Sequence, residues 1–427
     1  MKKLIFFITI IFGCNSISYT QTAIKSSCDA YAIITNPGEK TQNEIRINWH
    51  TNLEHEESFC IYTERSDTNW QKAIKIKAKQ DLCTTFDSLY SKTASGDNFY
   101  ENARFWRCTV ALENLEPDME YMYRAGTTDM SEIHYFKTAT ISGEWSCGII
   151  SDIHTYPPLP KRLEAAMNML KTLENCNEKN FDFILHVGDI CAWGGSHSFW
   201  KELYAEPYFC KYLWAGVNGN HDDMARGYAK QTNEYFRYVN NNPLNGYKGE
   251  EGVCYHFTYD NALFIMLNNE NMRNDKGFDD AQAWVKKVIE TNIAKYIIVV
   301  EHYQWFFGEN GKTSHYARWK ELFDEYGVDL AISANNHIYA RTNALYHDRE
   351  TDGTFGTVYI QTPSSDNERG MEMNELTDNT DLIKYRWTEG ANTVGAMLMH
   401  VSNDNLRLTL YDRNGNKIDE TLVKAKR

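Results

Sequence analysis

The sequence has no excess of positive charge: 44 Lys and Arg stand against 58 Asp and Glu, for a net charge of −14, and no basic run reverses this locally. This argues against a nucleic-acid partner, because a phosphate backbone requires a concentrated basic surface. Past the first twenty residues no apolar stretch approaches the about 18 residues of a spanning helix, so a multi-span membrane protein does not fit. There is no internal repeat and no low-complexity tract. With 42% hydrophobic and 24% charged residues, the chain is not of disordered composition either. Its 427 residues imply two or three domains at about 100–200 residues each. The 27 Tyr and 11 Trp suit β-rich domains outside the cytoplasm.

Residues 1–20 have the pattern of an export signal. Lys2 and Lys3 precede an apolar run over residues 4–12, which is too short for a stable anchor and is followed by small and polar residues. Two processing sites fit. Ser18-Tyr19-Thr20 ahead of Gln21 suits ordinary cleavage, whereas Ile11-Phe12-Gly13-Cys14 resembles a bacterial lipoprotein box with Cys14 acylated. The expected location is periplasmic or extracellular, with membrane attachment only through a lipidated Cys14. Export permits disulfides, and Cys28, Cys60, Cys83 and Cys108 are candidates for two bridges of open pairing.

The chain reads as two domains, 24–140 and 143–427. In the first, short alternating runs at 44–49, 58–63, 105–112 and 120–125 predict an antiparallel β-sandwich without a cluster of nucleophiles or ligands. After Thr140 apolar strands alternate with amphipathic helices. Strands are expected at 147–150, 183–187, 212–217, 296–300 and 329–332, and hairpin-like strands within 255–267 and 396–411. Leu163, Met167, Leu170 and Leu173 mark one helix face; Ala281, Trp284, Val285, Val288 and Ile289 mark another. This is an α/β domain with antiparallel as well as parallel pairing.

Each apolar run ends in a metal-competent side chain. Asp152 and His154 follow the first, Asp189 the second, Asn220, His221 and Asp222 the third, His302 the fourth, and Asn335 and His337 the fifth. Carboxyl ends of strands are where open α/β sheets carry their sites. A lone His or Gly-Asp pair is more often a structural feature or a turn. Five in order at the same end of strands point to a site.

The order Asp-x-His, Gly-Asp, Gly-Asn-His-Asp, Val-x-x-His and a final His resembles the calcineurin-like metallophosphoesterase superfamily. Trp49-His50-Thr51, Leu115-Glu116-Pro117 and the stretch 121–126 resemble the fibronectin type III-like domain that precedes the catalytic domain of purple acid phosphatases. The resemblance implies one metal site of Asp152, His154, Asp189 and His337, with Asp189 bridging to a second of Asn220, His302 and Asn335. It implies His221 as proton donor to the leaving group, with Asp222 orienting that imidazole. This ligand set suits Zn, Mn or Fe. Two divalent ions clamp phosphoryl oxygens and supply a metal-bound hydroxide as nucleophile, so no Ser or Cys nucleophile is required.

Two positions depart from the family. Ala192 stands where the purple enzymes carry their colour-giving tyrosine, so the protein is expected to be colourless. Asn335 replaces the first histidine of the final Gly-His-x-His block, which implies a weaker second site or a preference for Mn or Mg. Among the neighbours, Glu301 is read either as adding negative charge near the site or, preferred, as solvent-facing. His197 and Trp193 are read either as rim residues or as loop packing, Arg226 and His315 as surface residues in preference to phosphate contacts from their loops, His186 as buried support, and Tyr339 and Arg341 as braces. The leading functional reading is an exported phosphomonoesterase acting on small phosphate esters. A diesterase of the same superfamily, or a non-catalytic surface protein with a degraded second metal site, are the alternatives.

Overall fold

The computed structural model describes residues 28–427 apart from 56, 93–97, 178–179, 225–233, 307–314, 367 and 372–379. The leader, the box at Cys14 and Arg226 lie outside the described residues.

Two sheets form the N-terminal unit. Ile74–Lys77, Phe59–Glu64, Glu120–Gly126 and His134–Lys137 make a four-stranded antiparallel sheet. It faces Tyr31–Pro37, Ile45–Thr51, Asn98–Leu112 and Lys79–Lys92. Trp49, Cys60, Cys108, Tyr123 and Ala125 fill the space between them, all essentially without solvent contact. These are the expected β-rich domain and the expected strands.

The second unit stacks two mixed sheets between helices. In the first sheet Trp145–Ile150, Phe183–His186 and Leu213–Gly216 run parallel, with the hairpin Gly395–Val401 and Asn405–Asp412 and the last strand Lys417–Lys424 beyond them. The second sheet sets Ala262–Met266, Tyr296–Val300, Leu330–Ser333 and Val358–Gln361 in parallel, with antiparallel strands at both margins. Both faces of these strands are buried, which is why they read as continuous apolar runs. Cys147, Ile149, Leu185 and Val187 point inward against Phe264, Met266, Ile298 and Ile332. Ile150, Ile184 and Trp214 point outward under helix Lys161–Asn177, through Leu163, Met167, Leu170 and Leu173. Helices Asp275–Thr291 and Tyr316–Tyr326 cover the other outer face with Phe278, Trp284, Trp319 and Phe323.

The two units share a sheet, which the sequence reading did not anticipate. Tyr31–Pro37 runs parallel beside Leu213–Gly216, with Thr35 opposite Leu213, and joins the two into one ten-stranded sheet. Thr35 Oγ1 donates to the Tyr212 carbonyl at 3.1 Å and Asn36 Nδ2 to the Trp214 carbonyl at 2.9 Å.

The candidate disulfides are not formed among the described residues: Cys60, Cys83 and Cys108 are free thiols. Strand register explains it. Cys83 lies opposite Phe105 and Cys108 opposite Gln80, so the two are not cross-strand partners, while Cys60 lies on the facing sheet.

Candidate metal centre

The ligand-type residues converge because their strands are neighbours. Trp145–Ile150 delivers Asp152 and His154, Phe183–His186 delivers Asp189, and Leu213–Gly216 delivers Asn220 and His221. From the facing sheet Tyr296–Val300 delivers His302, and Leu330–Ser333 delivers Asn335 and His337. The turns leaving these strands are strained: Asp152 (φ 51°), His154 (48°), Asp189 (52°), Asn335 (70°) and His337 (58°) are all left-handed. Such residues cost about 1–3 kcal/mol each and cluster where function overrides local preference.

Close packing leaves no latitude in the loops. Gly188, at φ 89°, lies under His302, whose Nδ1 would be 2.5 Å from an added Cβ. A Cβ on Gly219 would lie 2.2 Å from Asp189 Oδ1.

Asp152, His154 and His337 form one group whose ligand atoms lie within 4.8 Å of one another; Asp152, Asp189 and His302 form another. Oδ2 of Asp189 is 3.3 Å from His154 Nε2 and 3.2 Å from His302 Nε2, and Asp152 Oδ1 is 3.3 Å from His337 Nε2. The Nδ1 atoms face away from the cluster. That of His302 meets the Val187 carbonyl at 2.6 Å, that of His337 the Arg369 carbonyl, and that of His154 lies 3.0 Å from Asp366 Oδ2. An imidazole held through Nδ1–H presents the Nε2 lone pair inward, the tautomer a cation requires. Asp152 Oδ1, His154 Nε2, His302 Nε2 and Asn220 Oδ1 are buried without a hydrogen-bond partner. Divalent cations fit this donor set.

Charge follows the same layout. Burial opposes ionisation of Asp189, yet His302, His221 and His154 hold its carboxyl well below the usual range. Burial likewise opposes a proton on His302, but Asp189 and Asp152 outweigh it and push that imidazole up to about 10. His221 lies at the edge of the cluster, its ring 4.9 Å from that of His154. Burial pushes it down to about 4 against the pull of Asp189.

Asn335 is 7% exposed and its Nδ2 donates to Gln304 Oε1 at 2.5 Å. With the amide nitrogen so engaged, the amide oxygen is the atom left to act as a ligand.

Several neighbours differ from expectation. Asp222 does not touch the His221 imidazole, whose Nδ1 donates to the Ala192 carbonyl at 2.9 Å. The Asp222 carboxylate instead accepts from the amides of Cys191 and Gly219, both at 3.0 Å, and ties two ligand loops together. Burial, then the nearby Asp189, raise its carboxyl to about 7. Glu301 is fully buried rather than solvent-facing, and His315, read as a surface residue, meets it at 3.0 Å. Trp193 borders His221, ring centroids 6.3 Å apart. His197 turns away from the cluster and stacks on Phe105 of the N-terminal unit at 4.3 Å. His186 is buried, as expected, and Tyr339 and Arg341 brace Asp419.

A family model described as calcineurin-like phosphoesterase matches residues 147–339, from the first ligand-bearing strand to just past His337. Residues 147–339 form a calcineurin-like phosphoesterase domain. The N-terminal domain model of purple acid phosphatases matches residues 31–138 ahead of it. Purple acid phosphatases 15 and 23 of Arabidopsis thaliana are 23% and 24% identical to this chain over 63% and 59% of its length. The chain spans only 55% and 60% of those curated relatives. In fold it is similar to the purple acid phosphatase PPD1 from yellow lupin (Lupinus luteus) seeds. That match has a TM-score of 0.70 at 16% identity and covers 93% of this chain and 74% of the other. It also resembles PhoD, with a TM-score of 0.59 at 12% identity, covering 92% and 93%. Two residues that contact the candidate site lie beyond the matched stretch and were not foreseen: Asp366 and Arg369, on the loop after Val358–Gln361.

Proposed function

We propose that the chain is a metal-dependent phosphoesterase that hydrolyses small phosphate monoesters. One observation carries this reading: three imidazoles fixed through Nδ1 turn Nε2 onto two carboxylates, with a fourth imidazole, His221, beside them. Asp152, His154, Asp189 and His337 would hold one cation, and Asp189, Asn220, His302 and Asn335 a second. Zn, Mn or Fe suits the first site; the amide of Asn335 favours Mn or Mg in the second. Bound cations supply Lewis acidity toward a phosphoryl oxygen and lower the pKa of water to about 7.

The chain's own residues do the rest. His221, with Nδ1 committed to the Ala192 carbonyl, turns Nε2 to the cluster and, when in its imidazolium form, gives the Nε2 proton that the leaving oxygen takes up. Asp222 positions that histidine by holding the Gly219 and Cys191 amides. Lys2, Lys3 and the apolar run after them support export to the periplasm or beyond, with residues 1–20 as leader and 24–140 and 143–427 as the two domains. No helix among the described residues is long and apolar enough to cross a membrane.

The test is metal content per chain by elemental analysis, with hydrolysis of an aryl phosphate in the presence of Mn or Zn. Near two metals and a turnover that vanishes in Asp189→Asn is the expected result. An inert protein with one metal or none favours the second reading, a binding protein whose second site was lost at Asn335.

A further inference from the structure

The loop after strand Val358–Gln361 is tied to the metal centre at every step. Ser365 N donates to the Ser151 carbonyl at 2.9 Å, and Ser364 Oγ to the Asp152 carbonyl at 3.2 Å. Asp366 takes the His154 ring on Oδ2 and the amides of Glu368 and Arg369 on Oδ1. The Arg369 carbonyl takes the Nδ1 proton of His337. The backbone of Arg369 is therefore fixed from both sides by groups that also fix two candidate ligands. Its side chain is half-buried, and Nη2 lies 3.4 Å from His221 Nε2.

That guanidinium has no carboxylate partner among the ion pairs of the described residues. Its neighbour Glu368 pairs outward with Arg162 at 2.9 Å. In a chain of net charge −14, a fixed and partly desolvated cation facing a proton-donor imidazole is a receptor for an anionic oxygen. Its contact with His221 is long, so an oxygen entering between them replaces little. Once the leaving oxygen reaches His221 Nε2, a non-bridging oxygen on the same phosphorus comes within reach of the guanidinium, 3.4 Å from that nitrogen.

We infer that Arg369 binds a non-bridging phosphoryl oxygen of the substrate and selects monoester dianions over diesters. This rests on the phosphoesterase reading above. A monoester carries three non-bridging oxygens and close to two charges near neutral pH. A diester carries one fewer oxygen and one charge, and offers an ester group where Arg369 requires an anion.

The experiment uses the full metal-loaded chain as wild type, Arg369→Lys and Arg369→Met. Three quantities are read: kcat and KM for an aryl phosphate monoester and for a bis-aryl diester, inorganic phosphate affinity by calorimetry, and metal content. Arg369→Met is expected to lower monoester kcat/KM and phosphate affinity by roughly 10- to 100-fold, the span of a charge-assisted hydrogen bond. Diester kcat/KM is expected to fall by much less, metal content stays within experimental error, and Arg369→Lys lies between. Equal losses for both ester classes, unchanged phosphate affinity, or loss of metal in Arg369→Met would each overturn the inference. A wild type that binds no phosphate and cleaves neither ester sinks the phosphoesterase reading itself, an outcome seen before any variant is made.

Discussion

His154 Nδ1 lies 3.0 Å from Oδ2 of Asp366, a residue 212 positions further along the chain. Both are buried, and the carboxylate also accepts two backbone amides, so it is held in place independently of the ring. Such a partner sets the tautomer and the basicity of a ligating imidazole. Asp366→Ala is expected to weaken metal binding by roughly 10- to 100-fold while the fold persists. Competition against a chelator, with circular dichroism as the fold check, measures this. Undiminished affinity would mean that the Asp152 carbonyl, 3.1 Å from the same Nδ1, suffices.

Asn335→His restores the family's imidazole at the second site. Zn affinity there is expected to rise, and the Mn or Mg preference proposed for the wild type to fade. If Gln304 already orients the amide as a working ligand, Gln304→Ala alone weakens second-metal binding. Metal titrations of both variants separate a crippled site from one adapted to a harder cation.

His221→Gln removes the proposed proton donor without touching a carboxylate of the cluster. An aryl phosphate with a poor leaving group should lose roughly 100- to 10,000-fold in kcat, and metal content should not change. A far smaller loss with an activated leaving group would place the defect in proton transfer rather than binding.

Acid should loosen the seam between the two units. His50 is wholly buried, donating Nε2–H to the Tyr238 carbonyl at 2.7 Å, and His197 stacks on the same Phe105. Burial, with Lys201 adding, pushes His197 down to about 4 from 6.5, and burial followed by His197 pushes His50 well below 6.5. Both are neutral when folded, and the unfolded chain takes up their protons first. Their contribution is thus full above about pH 6.5 and is lost as pH falls through about 4. Urea midpoints measured from pH 7 downward should fall across that window, and less steeply for His197→Phe. Parallel curves for the two proteins would contradict this.

The strands and the candidate ligands were legible because each apolar run ends in the residue that its strand delivers, so order along the chain reproduces order in space. Asp366 and Arg369 carry no such mark. They follow the last ligand block by some thirty residues and reach the cluster only because Val358–Gln361 runs beside Leu330–Ser333. Asp222 was misread because neighbours in sequence need not share a direction: the turn that aims His221 at the cluster aims Asp222 into the amides beneath it. The burial of Glu301 depends on His315, across a loop whose path no local pattern records. The shared sheet rests on one parallel pairing, Thr35 opposite Leu213, too little to leave a periodicity.

That pairing decides how the molecule can be cut. Leu213–Gly216 leads within a few residues to Asn220 and His221, and its outer edge is covered by Tyr31–Pro37. Removing residues 28–138 would bare the backbone edge of the strand that leads to His221, an invitation to aggregation. The N-terminal unit is therefore a flank of the sheet that bears the candidate ligands rather than an appendage. A fragment starting at the phosphoesterase domain should be insoluble or inert, and heat should melt the intact chain in one cooperative step.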